Sequence, residues 1–168
     1  LSLRRQRQMC IRDSLSTALF DRPPFLNAIG HGVVVDENGS KLSKRLKNYP
    51  DPDEVFNKYG SDALRWFLVS SPILRGQNLM MDSTGAGIDS SLRQVIVPLW
   101  NASYFFTLYS NLENYKPKLI NTAQLSIDRY ILSKLKAMSE LVKESLTNYN
   151  ITDACEAIFE FIDILNNW

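Results

Sequence analysis

Apolar residues recur at helical spacing through the last part of the chain, and this periodicity limits the fold more than any other feature. Between Ile127 and Tyr149 they fall on one predicted helix face, at Ile131, Leu135, Met138 and Val142. The segment after Thr152, which we expect to cap a second helix, repeats the pattern at Ala154, Ile158, Phe161 and Leu165. Two amphipathic helices joined by a short link pack as an antiparallel hairpin, so the sequence predicts a mainly α fold.

Start and stop signals place two shorter helices upstream. Residues 51–54 read Asp-Pro-Asp-Glu, which supplies an N-cap at Asp51, a proline at the first helical position and a glutamate to close a capping box. We expect Gly60 to end this helix in a left-handed conformation and Ser61 to cap the next one. The second helix should run to about Val69, before a Ser-Pro pair ends it.

The middle of the chain is predicted to hold one long helix between two connectors. Residues 76–87 contain three glycines and little periodicity, which is typical of a connector. Residues 88–112 are a long helical candidate that Pro98 interrupts, and residues 115–122, which include Pro117, form the next link.

A strand and a basic loop are predicted before the first of these helices. Residues 25–35 form an apolar run that closes on three valines, as in a buried strand. Residues 36–39, Asp-Glu-Asn-Gly, then favour a tight turn that reverses the chain into a short hairpin arm. The exposed loop that follows, residues 40–47, carries four cations, namely Lys41, Lys44, Arg45 and Lys47.

Composition excludes several classes of protein. With 45% hydrophobic and 22% charged residues, the chain has the balance of a globular protein, and no apolar run approaches the ~18 residues of a membrane span. Cys10 and Cys155 lie far apart, without further ligands at metal-binding spacing, so we expect neither a zinc site nor a disulfide framework. These features favour a cytoplasmic protein that makes no membrane contact.

Residues 1–14 differ from the rest of the chain. They carry four arginines and one aspartate without clear helical or strand periodicity, and they lack the apolar core of a signal peptide. We interpret them as a non-native or mis-joined segment, the alternative being a basic arm that binds nucleic acid. Without them acidic residues slightly outnumber basic ones, so any contact with nucleic acid must be local.

The sequence Lys41-Leu42-Ser43-Lys44-Arg45 suits a polyphosphate. Ammonium groups on a loop meet phosphate oxygens as charge develops during phosphoryl or nucleotidyl transfer, while a hydroxyl and loop amides add neutral donors. The loop lacks the glycine spacing of a Walker A motif, and its alternative role is a solvated basic turn.

In its wider context this loop resembles the Lys-Met-Ser-Lys-Ser signature of class I aminoacyl-tRNA synthetases. The flanking text, LSTALFDRPPF before the strand and LKNYPDPDEVFNKYGSDALRWFLVSSP after the loop, is similar to that of the isoleucyl branch of the family. The segments DRYILSKL, residues 128–135, and FIDILNNW, residues 161–168, extend the resemblance, which covers residues 15–168. The alternatives are a valyl or leucyl relative, or a noncatalytic helical module that binds tRNA or a protein.

The resemblance implies a division of the chain into four parts. Residues 1–14 have no counterpart, and residues 15–49 would be the C-terminal edge of a Rossmann-like catalytic domain that carries the signature loop. Residues 50–87 would be stem-contact helices with a connector, and residues 88–168 the start of a truncated helical anticodon-binding bundle. The family's other catalytic signature and its editing domain are missing upstream, so we expect an internal fragment that is inactive alone.

The resemblance also assigns roles to the loop residues. Lys44 matches the second signature lysine, which is expected to contact the phosphates of ATP and to stabilise the pyrophosphate charge, and Lys41 matches the first. Ser43 would lie on the same loop, and the backbone of Leu42 near the adenine. The implied reactants are ATP with Mg²⁺, isoleucine and tRNA(Ile), the isoleucine site lying mostly outside these residues.

Other candidate residues have plainer explanations. We expect a structural role for His31, the only histidine, and either phosphate contacts or plain solvation for Arg45 and Lys47. Six aromatic residues at helical spacing are predicted to pack in the core rather than to stack on bases: Trp66, Phe67, Trp100, Tyr104, Phe105 and Phe106. Three bundle lysines are predicted to lie on an exposed helix face, with intrahelical pairs to Glu140 and Glu144, rather than on tRNA: Lys134, Lys136 and Lys143.

Overall fold

A computed structural model describes residues 2–118 and 123–167, with side chains from Ile11 onward. The chain forms two compact units, residues 1–30 and 31–168. The predictions for Leu1, for residues 119–122 of the second link, for Trp168 and for the thiol of Cys10 fall outside the described residues.

The first unit contains a helix that the sequence pattern did not predict. Helix α1 spans Ser2–Phe20, and it therefore includes most of the arginine-rich segment. Leucine, arginine, glutamine and methionine all have high helix propensity, which suffices for a helix even where no amphipathic face marks it. After α1 the chain is irregular, and Phe25, Leu26 and Ile29 are exposed, so the predicted strand does not begin at Phe25.

The second unit begins with a small parallel sheet. Strand β1 spans only Val34–Val35 and pairs with strand β2, Leu79–Met80, with Val34 opposite Leu79. The predicted connector at residues 76–87 thus contains a strand. The sequence pattern does not reveal it, because the strand has only two residues and glycines flank it. A glycine makes the pairing possible, because a Cβ atom on Gly32 would lie 1.7 Å from the carbonyl oxygen of Gln77.

Two helices follow the loop after β1, much as the cap signals predict. Helix α2 spans Pro52–Tyr59, and the Asp51 carboxylate caps it by accepting from the Asp53 amide at 2.9 Å. Helix α3 spans Ser61–Ser70, and its N-cap is Gly60 rather than the predicted Ser61, which is already helical. Gly60 has the expected positive φ of 81°, but its ψ of 160° is extended rather than left-handed helical.

These helices share a small core with helix α4, Ala86–Ser91. Its centre consists of Val55, Ala63 and Ile88, of which Ala63 and Ile88 are each 1% exposed. Four partly buried residues surround it: Tyr59, Leu64, Phe67 and Leu92. Gly87 lets the Phe67 ring pack against α4, because a Cβ atom at position 87 would lie 2.5 Å from the edge of that ring and the ring would have to move.

The long helix predicted at residues 88–112 is present, with its irregularity one turn before the proline. A π-helical turn at Leu92–Ile96 joins α4 to helix α5, Val97–Leu112. Pro98 lacks an N–H and its ring crowds the preceding turn, so widening that turn lets the helical path continue past the proline.

Most of the predicted packing aromatics are exposed. Trp66 and Phe67 are partly buried, whereas Trp100 is 72% exposed and Tyr104, Phe105 and Phe106 are all more than half exposed. No residue of α5 is buried, although the Phe105 and Tyr109 rings lie 4.5 Å apart. The prediction that Trp100, Tyr104, Phe105 and Phe106 pack in the core is wrong. Aromatic side chains favour burial, but no other element in the described part of the chain packs over these four residues.

The predicted helical hairpin is confirmed. Helix α6 spans Ser126–Thr147 and helix α7 spans Ile151–Asn167, and the two pack along their length. Thr152 does not cap α7 but lies inside its first turn, 3% exposed and with no hydrogen bond from its hydroxyl. The predicted face of α6 is only partly covered, since Ile131, Met138 and Val142 are half-buried and Leu135 is exposed.

Helix α7 is the element that joins the hairpin to the rest of the second unit. One of its faces contributes Ala157, Phe161 and Ile164 to a groove shared with α6. Another contributes Cys155 and Phe159 to a cleft of about 440 Å³ shared with α3. Near the start of α7, Asp153 and Glu156 pair with Arg75, which ends a short 3-10 helix at Pro72–Arg75. The hydrogen bond to Asp153 raises the pKa of the Arg75 guanidinium above its usual value.

No helix among the described residues is both long and apolar enough to span a membrane.

We expect Gly32→Ala to destabilise the chain, because the added methyl group would overlap the Gln77 carbonyl and force the two strands apart. The free energy of unfolding should fall by about 1–3 kcal/mol, as for other overpacked sites, in urea denaturation followed by circular dichroism. Gly30→Ala is the matched control, since a Cβ atom at Gly30 meets nothing within 4 Å. Equal stability of the two variants would contradict the close approach.

Candidate functional site

The basic loop follows a tight turn that comes directly after β1. The Asp36 carboxylate organises this turn, because its Oδ1 accepts from the amides of Asn38 at 3.0 Å and Ser40 at 2.8 Å. Gly39, with φ of 74°, supplies the left-handed residue that the turn needs. The chain then returns antiparallel to β1 through a bridge between Val35 and Lys41, so the predicted hairpin arm is confirmed.

The side chain of Asn48 closes the loop formed by residues 40–48, which we call the lysine loop. Its Nδ2 donates to Asp36 Oδ2 at 2.7 Å and to the Lys41 carbonyl at 3.4 Å, and its Oδ1 accepts from the Ser43 amide at 2.9 Å. One amide therefore connects the turn before the loop with both the start and the middle of the loop.

The second half of the lysine loop is a single helical turn capped by Ser43. The Ser43 hydroxyl accepts from the Leu46 amide at 3.2 Å, and the Ser43 carbonyl accepts from the Lys47 amide at 3.0 Å. Lys47 then adopts a φ of 48°, which ends the turn. The Leu42 amide donates to the Val34 carbonyl at 3.3 Å, so four of the predicted phosphate donors, the amides of residues 42, 43, 46 and 47, are already paired within the chain.

The cations of the lysine loop all face solvent. Lys41, Lys44, Arg45 and Lys47 are exposed, and none forms an ion pair with any side chain that the structure describes. Leu42 and Ser43, by contrast, are half-buried. The structure thus brings the predicted site residues together on one short loop, with the four charged groups exposed and with Leu42 and Ser43 half-buried. Such a surface attracts a polyanion and leaves each ammonium group available to it.

A carboxylate on the hairpin turn attaches it to the segment before α4, and a second carboxylate orders that segment. Glu37 Oε1 accepts from both the amide and the hydroxyl of Ser83, each at 3.1 Å. Asp82 accepts from the Thr84 hydroxyl at 2.6 Å and from the Ala86 amide at 3.1 Å, at the start of α4. The Thr84 contact is the main cause of a lowered Asp82 pKa. The lysine loop therefore has a defined position relative to α4.

His31 lies outside the lysine loop, and its ring contacts the backbone just before β1. Its Nδ1 lies 2.6 Å from the carbonyl oxygen of Gly32, at the point where the backbone passes residues 73–77. No hydrogen bond joins the His31 ring to a carboxylate among the described side chains.

The bundle lysines also show ordinary surface contacts. Lys136 pairs with Glu140 at 3.8 Å, as predicted, and the Lys134 ammonium lies 5.5 Å from the centre of the Tyr130 ring. Lys143 is exposed and forms no ion pair with the described carboxylates, so its predicted pairing is wrong. No group of three or more His, Cys, Asp or Glu side chains suited to a metal ion occurs in the described part of the chain.

Sequence reasoning missed the three polar residues that shape and attach the lysine loop. The sequence pattern marks Asp36 and Glu37 only as turn residues and assigns no role to Asn48. Turn chemistry was the available signal for Asp36, because an aspartate often accepts from amides two residues onward. Nothing local marks Asn48, whose main partner lies twelve residues earlier in the chain.

Comparison with known proteins supports the resemblance. The family model described as tRNA synthetases class I (I, L, M and V) matches residues 9–80. The isoleucine–tRNA ligases of Rickettsia bellii (strain OSU 85-389) and Rickettsia prowazekii (strain Madrid E) are each 53% identical over 154 residues, which is 92% of this chain and 14% of each relative. The crystal structure of a ternary LeuRS–tRNA–LeuAMS complex from Agrobacterium radiobacter K84 has a TM-score of 0.69 and 21% identity, and the match covers 94% of this chain and 20% of that one.

The family model and the 53% identical relatives show that the chain belongs to the class I tRNA synthetases, and the solved structure shares its fold. Within that family its sequence corresponds to a segment of the isoleucine–tRNA ligases. The chain spans 14% of the length of these relatives.

We expect the Asp36 carboxyl to titrate below its usual range, because hydrogen bonds from Asn48, and next from the Ser40 amide, lower its pKa. A lowered pKa means that the carboxylate stabilises the fold above its unfolded-state pKa and that this stabilisation is lost as the pH falls through the folded-state pKa. In a carbon-13 NMR titration, Asn48→Ala should raise the Asp36 pKa toward the ordinary value. An unchanged titration would show that Asn48 does not donate to Asp36.

Proposed function

We propose that this segment carries the phosphate-binding signature loop of an isoleucine–tRNA ligase. In the whole protein, isoleucine and ATP with Mg²⁺ would give isoleucyl-adenylate and pyrophosphate, and the isoleucyl group would pass to tRNA(Ile). The observation that carries the proposal is the lysine loop itself, whose cations are exposed and form no ion pair with the described side chains, in a chain 53% identical to isoleucine–tRNA ligases.

The loop suits the charge that develops during adenylate formation. Attack of the isoleucine carboxylate on the α-phosphorus of ATP breaks the bond to the β-phosphate, and negative charge builds up on the departing pyrophosphate. Ammonium groups at Lys44 and Lys41 would bind its oxygens more strongly as this charge grows, which lowers the barrier. The Ser43 hydroxyl and the Leu42 backbone lie on the same loop and would be near the nucleotide.

Magnesium would enter as part of the nucleotide rather than as a metal held by the lysine loop. The charged side chains at positions 41, 44, 45 and 47 are cationic, whereas Mg²⁺ prefers oxygen ligands and phosphates. Arg45 and Lys47 would extend the positive field toward the nucleotide or the end of the tRNA. We also propose a cytoplasmic location, because the buried Cys155 is a free thiol, as expected in a reducing compartment.

The proposed division of the chain rests on the resemblance to the family. We propose that residues 15–49 complete the catalytic domain, that residues 50–87 contact the tRNA stem, and that residues 88–168 begin the anticodon-binding bundle. The sequence predicts residues 1–14 to be non-native, whereas the family match begins at residue 9 and so includes residues 9–14.

Lys44→Ala tests the catalytic role of the lysine loop. The host is a chimera in which residues 15–168 replace the matching segment of the Rickettsia bellii isoleucine–tRNA ligase. We expect kcat/KM for isoleucine-dependent pyrophosphate exchange to fall by roughly 10²–10³-fold, as when one transition-state donor is removed, with tRNA affinity nearly intact.

Lys143→Ala is the matched control, because it removes an equally exposed lysine on α6 and should leave exchange unchanged. Loss of tRNA affinity with a normal exchange rate in Lys44→Ala would instead indicate a plain contact loop. Exchange that depends on valine or leucine rather than isoleucine would assign the chain to another branch of the family.

We expect the 168 residues alone to show no isoleucine-dependent pyrophosphate exchange. A loop of cations binds phosphates but does not orient an amino acid against an α-phosphate, and orientation supplies much of the rate acceleration. The measurement compares the isolated chain with the chimera at equal concentration. Exchange by the isolated chain above the background of its Lys44→Ala variant would contradict the prediction.

A further inference from the structure

The lysine loop depends on one uncharged side chain that the proposed chemistry does not use. Asn48 contacts Asp36 on the turn, and also the Lys41 carbonyl and the Ser43 amide inside the loop, at 2.7, 3.4 and 2.9 Å. These partners lie beside the two lysines, since Lys41 is itself a partner and Lys44 directly follows Ser43. The side chains of Lys41 and Lys44 gain no comparable support, because both are exposed.

We propose that Asn48 is a positioning residue for the lysine loop, whose amide joins Asp36 to the backbone at residues 41 and 43 and so fixes where Lys41 and Lys44 present their ammonium groups. This inference rests on the proposed function of the loop and adds the residue that sets its geometry. Asn48 itself touches no reacting atom in this scheme.

The site requires a side chain that both donates and accepts. The Asp36 carboxylate and the Lys41 carbonyl are acceptors, so they need the N–H bonds of Nδ2, while the Ser43 amide is a donor and needs Oδ1. An aspartate at position 48 would keep the bond from Ser43 but would face Asp36 with a second negative charge. An alanine would lose all three contacts.

The expected kinetic effect is on kcat. A displaced lysine weakens interactions that strengthen as the pyrophosphate charge develops, and losing such interactions lowers kcat and kcat/KM together. Isoleucine binds elsewhere in the proposed scheme, so its KM should not change. General unfolding would instead lower the concentration of active enzyme and speed hydrogen exchange throughout the chain rather than in residues 41–48 alone.

Exchanging the two side chains provides the decisive variant. In the double variant Asp36→Asn, Asn48→Asp, the new amide at position 36 donates to the new carboxylate at position 48. The same carboxylate still accepts from Ser43, and the amide oxygen at position 36 still accepts from the amides of Asn38 and Ser40. Only the longest contact, to the Lys41 carbonyl, loses its donor.

The experiment measures isoleucine-dependent pyrophosphate exchange and backbone hydrogen exchange of residues 41–48 in the chimera. We expect Asn48→Ala and Asn48→Asp each to lower kcat by about tenfold or more with KM for isoleucine within about twofold, and to speed hydrogen exchange in the loop. The exchanged double variant should recover kcat to within about threefold of the parent chimera and restore slow hydrogen exchange. Asn38→Ala is the matched control and should change neither, because only its backbone takes part in the turn.

Two results would overturn the inference. The first is a kcat within about twofold of the parent in Asn48→Ala, and the second is a double variant no better than the worse single one. Lys44→Ala, measured in parallel, distinguishes an error in the role of Asn48 from an error in the proposed function of the loop. If Lys44→Ala is impaired while Asn48→Ala is normal, only the role of Asn48 is wrong, whereas an unaffected Lys44→Ala or an inactive chimera overturns the proposed function together with this inference.

Discussion

The close approach of Gly32 to the backbone at Gln77 is the constraint on which the position of the site depends. Contact at this distance leaves no room for any side chain, and it brings β1 alongside β2. The Gly32 amide also donates to the Ile73 carbonyl at 2.8 Å, which adds a directional bond to the steric condition. The turn and the lysine loop follow β1 directly. The position of the four exposed cations relative to the helical core therefore depends on Gly32 having no side chain.

The helical part of the second unit is organised around α7, which is in contact with more of the other elements than its neighbour α6. Its small buried residues, Ala154, Cys155 and Ala157, let helices pack closely on two of its faces. Burial raises the pKa of the Cys155 thiol, consistent with a side chain that serves packing. The ion pairs of Arg75 with Asp153 and Glu156 are partly exposed, so they orient the start of α7 more than they stabilise it.

The sequence was informative where a local physical rule decides the structure. The Asp51 cap, the Asn-Gly turn and the period of α6 and α7 depend on a few neighbouring residues, and the structure confirms them. The lysine loop is predictable for the same reason, because its four cations lie within eight consecutive residues. The predictions fail where a structure depends on a partner that is distant in sequence. Strand β2 forms only because β1 lies beside it, and Asn48 matters only because Asp36 is near. The aromatic residues of α5 remain exposed, because an apolar side chain does not specify what it packs against.

The hydrogen bonds that shape the lysine loop join residues at most twelve apart, whereas the strand pairing that positions it joins residues 45 apart. Loop closure over so short a stretch costs little entropy and is fast, so the shape of the loop can form early in folding, before β1 finds β2. Its shape is therefore a local property of the sequence, and its location is a property of the whole unit. Evolution can alter the two independently: changes near Gly32 or Gln77 move an intact loop, while changes at Asp36 or Asn48 reshape it in place.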